Sequence, residues 1–308
     1  MENKYGMIRG ESNDAYHGND AVSNSSLKTF MQSRYLYMRR FITKDMVQEQ
    51  TPAMKTGSSV HEFILEPDVF AQNHAFLPPD FNGRTSEGKA LKAQMESDGK
   101  TTLSLKEADE LAALRDSVYG NPTAAMLLSN GEPELTWRIK HPAFDFDMQS
   151  RTDWFAEATK EQAAELQKCG MEIEAGQPFI ADLKTTADLA PWFRDNYSNQ
   201  IYSFGYHLQN AFYRAVVNQI RKAQGLEIVR HFFFIVVEKK PPIDCAVVAL
   251  SERSFGLAET QLKHNLSELG NCYKTGRWEG YKDRGILIAG VPEHIAEREE
   301  QEIRESRA

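Results

Sequence analysis

The run Phe179-Ile180-Ala181-Asp182-Leu183-Lys184-Thr185 ends a short apolar stretch with an acid, one spacer residue and a lysine. As a strand it alternates faces, so Asp182 and Lys184 point the same way and Leu183 points opposite. A carboxylate there can hold a divalent cation, and an ammonium beside it can orient a water or steady charge on a phosphate. That chemistry suits phosphodiester cleavage. Asp-x-Lys alone is a weak signal, because surface strands often carry such a pair as solvated ions. Two further acids can reach it. Glu134 opens one expected strand, and Asp153 closes the next, with Arg151 two residues before it. If both strands lie beside 179–185, Glu134, Asp153 and Asp182 converge at one end of a sheet. Mg²⁺ or Mn²⁺ takes an oxygen cage of that kind, to which the Leu183 carbonyl can add.

The elements that must position these residues follow from pattern and punctuation. Residues 1–20, rich in Asn, Asp, Glu and Gly, read as an irregular, flexible N-terminus. Ser23-Asn24-Ser25 can cap a helix whose apolar face uses Leu27, Phe30, Met31, Tyr35, Tyr37 and Met38. Gly57-x-x-x-His61 and Leu65-Glu66-Pro67 form a helical segment stopped by its proline. A lone histidine on such a face is more often a hydrogen-bonded core residue than a ligand. Residues 74–99 read as loop. Ser104 and Glu107 make a capping box for a helix to Val118. Glu134–Ile139 and Phe146–Phe155 read as a hairpin. Residues 157–175 read as a polar helical excursion, and a long helix is expected over 198–223. Strands His231–Val237 and Cys245–Leu250 flank a Lys-Lys-Pro-Pro turn, and a helix over 252–273 follows. The order predicts an α/β (α+β) fold, a central mixed sheet flanked by helices, with a helical N-terminal part. The expected division is 1–20, a single domain over 21–290 (helical 21–130, catalytic core 131–290), and an acidic tail at 291–308.

Composition limits the alternatives. The chain has 308 residues and a formal net charge of −8, so it lacks the basic excess usual in nucleic-acid binders. Charge is segregated, however: Lys28, Arg34, Arg39, Arg40 and Lys44 form a basic stretch, while acids crowd the C-terminal residues. Three scattered cysteines offer no metal knuckle, iron–sulfur set or disulfide framework. No apolar run reaches the length of a membrane span, and a polar N-terminus predicts a cytoplasmic protein without membrane partners.

Taken in order, Asp153, Asp182-Leu183-Lys184 and Gln209-x-x-x-Tyr213 resemble the PD-(D/E)XK nuclease superfamily, with its restriction-endonuclease-like core. Gly57-x-x-x-His61, Leu65-Glu66-Pro67, Ser23-Asn24-Ser25-Ser26-Leu27-Lys28, Pro241-Pro242 and Trp278-Glu279-Gly280-Tyr281 are similar to its RecE branch, the exodeoxyribonuclease VIII group. The resemblance implies His61, Asp153 and Asp182 as ligands of Mg²⁺ or Mn²⁺, as a pair of ions, with the Leu183 carbonyl assisting. It implies Lys184 as the residue that orients the attacking water, Gln209 and Tyr213 as positioning residues, and Glu134 as a supporting carboxylate. It further implies a 5′→3′ exodeoxyribonuclease on linear duplex DNA, leaving 3′ single strands for a RecT-like annealing partner in recombination, and a homo-oligomeric ring. Arg39, Arg84 and Arg151 are the candidates for a terminal phosphate. The alternatives are a RecB-like or CRISPR-associated nuclease of the same superfamily, or an inactive DNA-binding or assembly module.

Overall fold

A computed structural model gives the architecture and describes residues 4–46 and 52–306. Residues 1–3 of the expected flexible N-terminus and 307–308 of the tail lie outside them.

The strands are β1 (Gly6–Ile8), β2 (His74–Phe76), β3 (Thr101–Leu103), β4 (Glu132–Lys140), β5 (Asp147–Glu157), β6 (Pro178–Thr186), β7 (His231–Glu238) and β8 (Cys245–Ala249). Six of them form one sheet in the order β1-β4-β5-β6-β7-β8, while β2 and β3 pair separately. β6 and β7 run parallel; every other neighbouring pair in the large sheet is antiparallel. A parallel pair needs a crossover rather than a hairpin, and the long helix between β6 and β7 supplies it. The Asp182 strand therefore lies inside the sheet with partners on both sides, as its apolar run predicts.

The helices are α1 (Asn13–Gly18), α2 (Asn24–Gln32), α3 (Arg34–Tyr37), α4 (Pro52–Leu65), α5 (Pro67–Asn73), α6 (Ser86–Ser97), α7 (Leu105–Gly120), α8 (Pro122–Leu127), α9 (Lys160–Lys168), α10 (Gln200–Ser203), α11 (Tyr206–Ala223), α12 (Glu252–Thr275) and α13 (Glu293–Glu305). They cover both faces of the sheet. On one side Leu27 and Phe30 of α2, Phe212 and Val216 of α11 and Leu262 of α12 pack on Ile180, Phe232 and Phe234. On the other, Val60 and Ile64 of α4, Leu111 of α7, Leu127 of α8 and Leu166 of α9 pack on Phe179, Leu183 and Phe233. Phe179, Ile180 and Phe234 are fully buried, and each such side chain contributes about 1.5–3 kcal/mol by leaving water. No helix among the described residues is long and apolar enough to cross a membrane.

Local chemistry explains most boundaries. Ser104 and Glu107 close the expected capping box at the start of α7. The polar excursion is α9, capped by Thr159 and Gln162. Elsewhere the structure departs from expectation. The helix opened by Ser23 stops at Gln32, because Ser33 takes an extended conformation and its side chain recaps α3 at the Leu36 N–H. The helix expected over 198–223 is broken at Gly205, which lies at φ +67° ahead of α11. Nor are residues 4–20 irregular throughout. β1 pairs with β4, Glu11 meets Arg138 at 2.7 Å, and Ser12 caps α1. Polar contacts to buried arginines order this segment, so no apolar period marks it. The acidic end folds as α13, with ion pairs one turn apart at Arg298–Glu302 and Arg304–Glu300.

Candidate active site

The site forms where regular strand pairing lapses. The β5–β6 ladder ends at Trp154↔Ala181, so the next facing pair is Asp153 and Asp182. Between β4 and β5, pairing stops at Pro133↔Trp154 and resumes in unchanged register at Leu135↔Thr152. The pair left out is Glu134 and Asp153. Glu134 sits at φ +50°, a left-handed conformation uncommon for a non-glycine residue. Face alternation slips at the same point, since Met148 and Phe155 share one core although they are an odd number of positions apart. Glu134, Asp153 and Asp182 thus stand in a row across three adjacent strands. Gly131 permits this approach of β4: a Cβ there would fall 2.5 Å from Trp154 Nε1 and 2.7 Å from the Phe155 carbonyl oxygen.

The opened ladder leaves backbone groups to satisfy. The Leu183 N–H, facing β5, donates to Asp153 Oδ2 at 2.9 Å. A strand residue presents its N–H and C=O to the same antiparallel neighbour, so the Leu183 carbonyl faces the same gap. His61 enters from α4, its Nδ1 3.3 Å from Asp153 Oδ2. His61, Glu134 and Asp153 each offer a ligand atom, all within 4.8 Å of one another. Two carboxylates, an imidazole and a carbonyl make an oxygen-rich donor set that fits Mg²⁺ or Mn²⁺.

Asp182 is fully buried beside this group. Its Oδ2 accepts from Gln209 Nε2 at 2.6 Å, and its Oδ1 is paired with the Lys184 ammonium. Burial, and then the charge of Asp153, push the Asp182 carboxyl up to about 6. Burial likewise raises Asp153. Burial raises Glu134, with Asp153 and Glu66 adding repulsion. Burial, and then the nearby Lys184 charge, depress His61 to about 4, so its imidazole is neutral and able to ligate. Burial alone would lower Lys184, but the charges of Asp182 and Asp153 outweigh it and keep it protonated. Two cations, Lys184 paired with Asp182 and Arg151 at 3.9 Å from Glu134, face three acids clustered with little water around them. A divalent cation relieves the remaining imbalance.

Residues 23–284 match the family described as PDDEXK-like domain of unknown function (DUF3799). The chain belongs to this family. The match supports a nuclease. The fold is also similar to the crystal structure of a Eubacterium rectale protein provisionally classed as an exonuclease. The TM-score is 0.57 at 15% identity, covering 92% of this chain and 95% of that one. No curated protein matches the sequence.

Within the PDDEXK-like domain the expected residues fall into two groups. His61, Glu134, Asp153, Asp182, Leu183, Lys184 and Gln209 come together as described. Tyr213, one turn after Gln209 on α11, shares a hydrogen bond with it. Burial drives its phenol well above the usual range, and the Asp182 and Asp153 charges add to this. Tyr213 also packs edge-on against Phe232 at 6.2 Å. The arginines divide. Arg151 is buried, and its guanidinium is committed to Thr136 Oγ1, Asn13 Oδ1 and the Glu11 carbonyl while lying over the Tyr16 ring. It therefore clamps the N-terminal segment to the sheet and lies 3.9 Å from Glu134 Oε2, so its polar atoms are engaged inside the protein rather than held out for a terminal phosphate, contrary to its place among the candidates. Arg39 pairs with Asp45 at 2.6 Å on the surface. Arg84 is exposed on the turn before α6.

One of the motifs, Trp278-Glu279-Gly280-Tyr281, turns out to organise packing. Trp278 stacks on Tyr37 at 5.5 Å, and Gly280 makes room for the Tyr35 ring. Residues given no site role from the sequence also approach the site. Glu66 adds negative charge near Glu134. The Tyr206 ring centroid is 5.5 Å from Lys184 Nζ. The Lys28 ammonium of α2 has its pKa lowered first by burial and then by Lys184. The basic stretch and the capping motif around Ser23 both point to Lys28, but neither reveals its approach to Lys184.

Proposed function

We propose that this chain is a divalent-cation-dependent nuclease that hydrolyses phosphodiester bonds in DNA. The observation that carries the reading is the meeting of His61, Glu134 and Asp153 beside the Asp182–Lys184 pair, at the point where β4, β5 and β6 part. His61, Glu134, Asp153, Asp182 and the Leu183 carbonyl would hold Mg²⁺ or Mn²⁺. A cation bound there lowers the pKa of its water and neutralises the phosphate. Lys184 stays an ammonium, so it acts as a donor: it orients the attacking water and steadies charge on the phosphate oxygens, and it is not a base. Gln209 fixes the Asp182 carboxylate, and Tyr213 supports Gln209 from the next turn.

Sequence resemblance extends the proposal to a 5′→3′ exonuclease acting on linear duplex ends and yielding 3′ single strands for recombination by annealing. It also extends it to a ring-shaped homo-oligomer working with a single-strand annealing protein. Linear duplex labelled at one 5′ or one 3′ end, with and without a 5′ phosphate, tests the reading in Mg²⁺, Mn²⁺ or EDTA. The expected result is cation-dependent loss of 5′ label as mononucleotide while the 3′ label stays on long strands. Duplex left intact in both metals would remove the enzyme reading in favour of a binding module.

A further inference from the structure

The connection between β6 and α11 spends large rings on the surface. Phe193 is 65% exposed, Tyr197 86%, Tyr202 53% and Phe204 49%. Single exposed rings need no explanation, but a cluster on one short connection marks a contact surface. Three of the four make ring contacts. Tyr197 meets Tyr202 edge-on at 6.4 Å, and Tyr202 stacks on His207 at 5.7 Å. Phe204 lies 5.7 Å from Tyr206, which stacks on buried Trp192 at 4.9 Å and carries Lys184 over its face. A path of rings therefore leads from the Lys184 ammonium to the outside. Beside it opens a cleft of about 460 Å³ whose lining includes Arg194, Asp195, Asn196, Tyr197, Asn199 and Tyr202. Lys28 Nζ donates to the Phe204 carbonyl at 2.6 Å and brings a second cation to the outer end of that path.

Resting on the nuclease reading, we propose that Phe193, Tyr197, Tyr202 and Phe204 form a stacking platform for the unpaired bases of single-stranded DNA at the active site. Every base presents a π-face, so a row of exposed rings holds a strand without reading its sequence. Arg194 and Lys28 face the phosphates, and the Asn196 Nδ2 offers a donor to base edges, whereas the Asn199 amide is spent on the backbone of Trp192, Arg194 and Tyr202. A purely apolar protein partner would leave those two cations unmatched. The path from Lys184 continues instead into a surface suited to a polyanion with flat, apolar faces.

The test uses the whole chain in EDTA, which prevents cleavage, with fluorescein-labelled oligothymidylate and an abasic oligomer of the same length followed by anisotropy. The expected result is tighter binding of oligothymidylate by about tenfold or more, since stacking acts base by base. Tyr197→Ala with Tyr202→Ala should reduce binding to the abasic level, and Tyr197→Phe with Tyr202→Phe should restore it. Both tyrosines are exposed, so neither exchange threatens the core. Equal binding of the two oligomers, or parent-like affinity in the double alanine variant, overturns the platform. Duplex hydrolysis with Mn²⁺ is measured on the same samples. Hydrolysis without base preference removes the platform alone, and base preference without hydrolysis removes the nuclease reading alone.

Discussion

Gln209 Nε2 donates to Asp182 Oδ2 at 2.6 Å inside the sheet–helix interface, while Lys184 holds the other oxygen of the same carboxylate. Each Asp182 oxygen thus has an assigned partner, one from α11 and one from its own strand. Gln209→Glu would set two buried carboxyls at hydrogen-bond distance. At pH 8 the variant should be less stable than the parent by about 1–3 kcal/mol. At pH 5 a protonated carboxyl can donate in place of the amide, so the gap should narrow. Chemical denaturation at both pH values checks this; a gap independent of pH would refute it.

The raised Asp182 carboxyl makes cation-free stability depend on pH. Its folded value of about 6 lies above the ordinary value of 3.8, so between roughly pH 4 and 6 the folded chain binds more protons than the unfolded one. Stability must therefore fall as pH rises through that window. Glu134 and Asp153, raised in the same direction, add to the decline. Melting in EDTA should show a falling midpoint above pH 4, and saturating Mn²⁺ should flatten the trend at neutral pH.

Asp153→Asn keeps the size of the side chain and an oxygen for the Leu183 N–H, but loses the charge. The parent should melt later in Mn²⁺ than in EDTA, by an amount that grows with cation concentration. In the variant that shift should vanish. Hydrolysis should drop at least about a hundredfold, since loss of even an outer-shell partner costs 10–100-fold in cation affinity or activity.

Lys184→Met retains most of the side-chain volume and removes the donor. Rates of duplex hydrolysis should fall about 10²–10³-fold, the range seen when one transition-state donor is lost. Cation binding, read by the Mn²⁺-induced melting shift, should persist. A variant that loses both together would show that Lys184 helps build the cation site instead.

Arg151→Met should act on stability rather than chemistry. It breaks contacts to Thr136, Asn13 and Glu11, and loss of one partner from a buried ionic network costs about 3 kcal/mol. The midpoint should drop, residues 4–20 should become protease-sensitive, and activity per folded molecule should stay within a few-fold of the parent.

Much of this molecule is legible from local pattern. The β6 run, the β4–β5 hairpin and the capped start of α7 each carry their signal within a few residues. The structure contains all three, with the hairpin strands running two residues past Glu134 and past Phe155 so that the acids sit inside them. Sequence resemblance adds His61 and Gln209, whose approach to the acids no local pattern can reveal. What stays hidden depends on distant partners. Glu134 reads as a supporting acid, yet it lies within the same 4.8 Å group as His61 and Asp153 because β4 adopts a positive φ and skips one pair there. The ordering of β1 and α1 depends on Arg138 and Arg151, more than a hundred residues away. Arg151 looks in sequence like a free basic residue beside an acid, and only its burial reveals a clamp. The breaks at Ser33 and Gly205 come from side-chain capping and a left-handed glycine, which a count of apolar spacing passes over.

The Leu183 N–H is held by a side chain instead of a neighbouring strand. Its exchange with deuterated solvent should therefore track how firmly Asp153 is anchored, slowing when an ion clamps that acid and quickening in chelator. This lone proton offers a spectroscopic gauge of occupancy that needs neither substrate nor turnover.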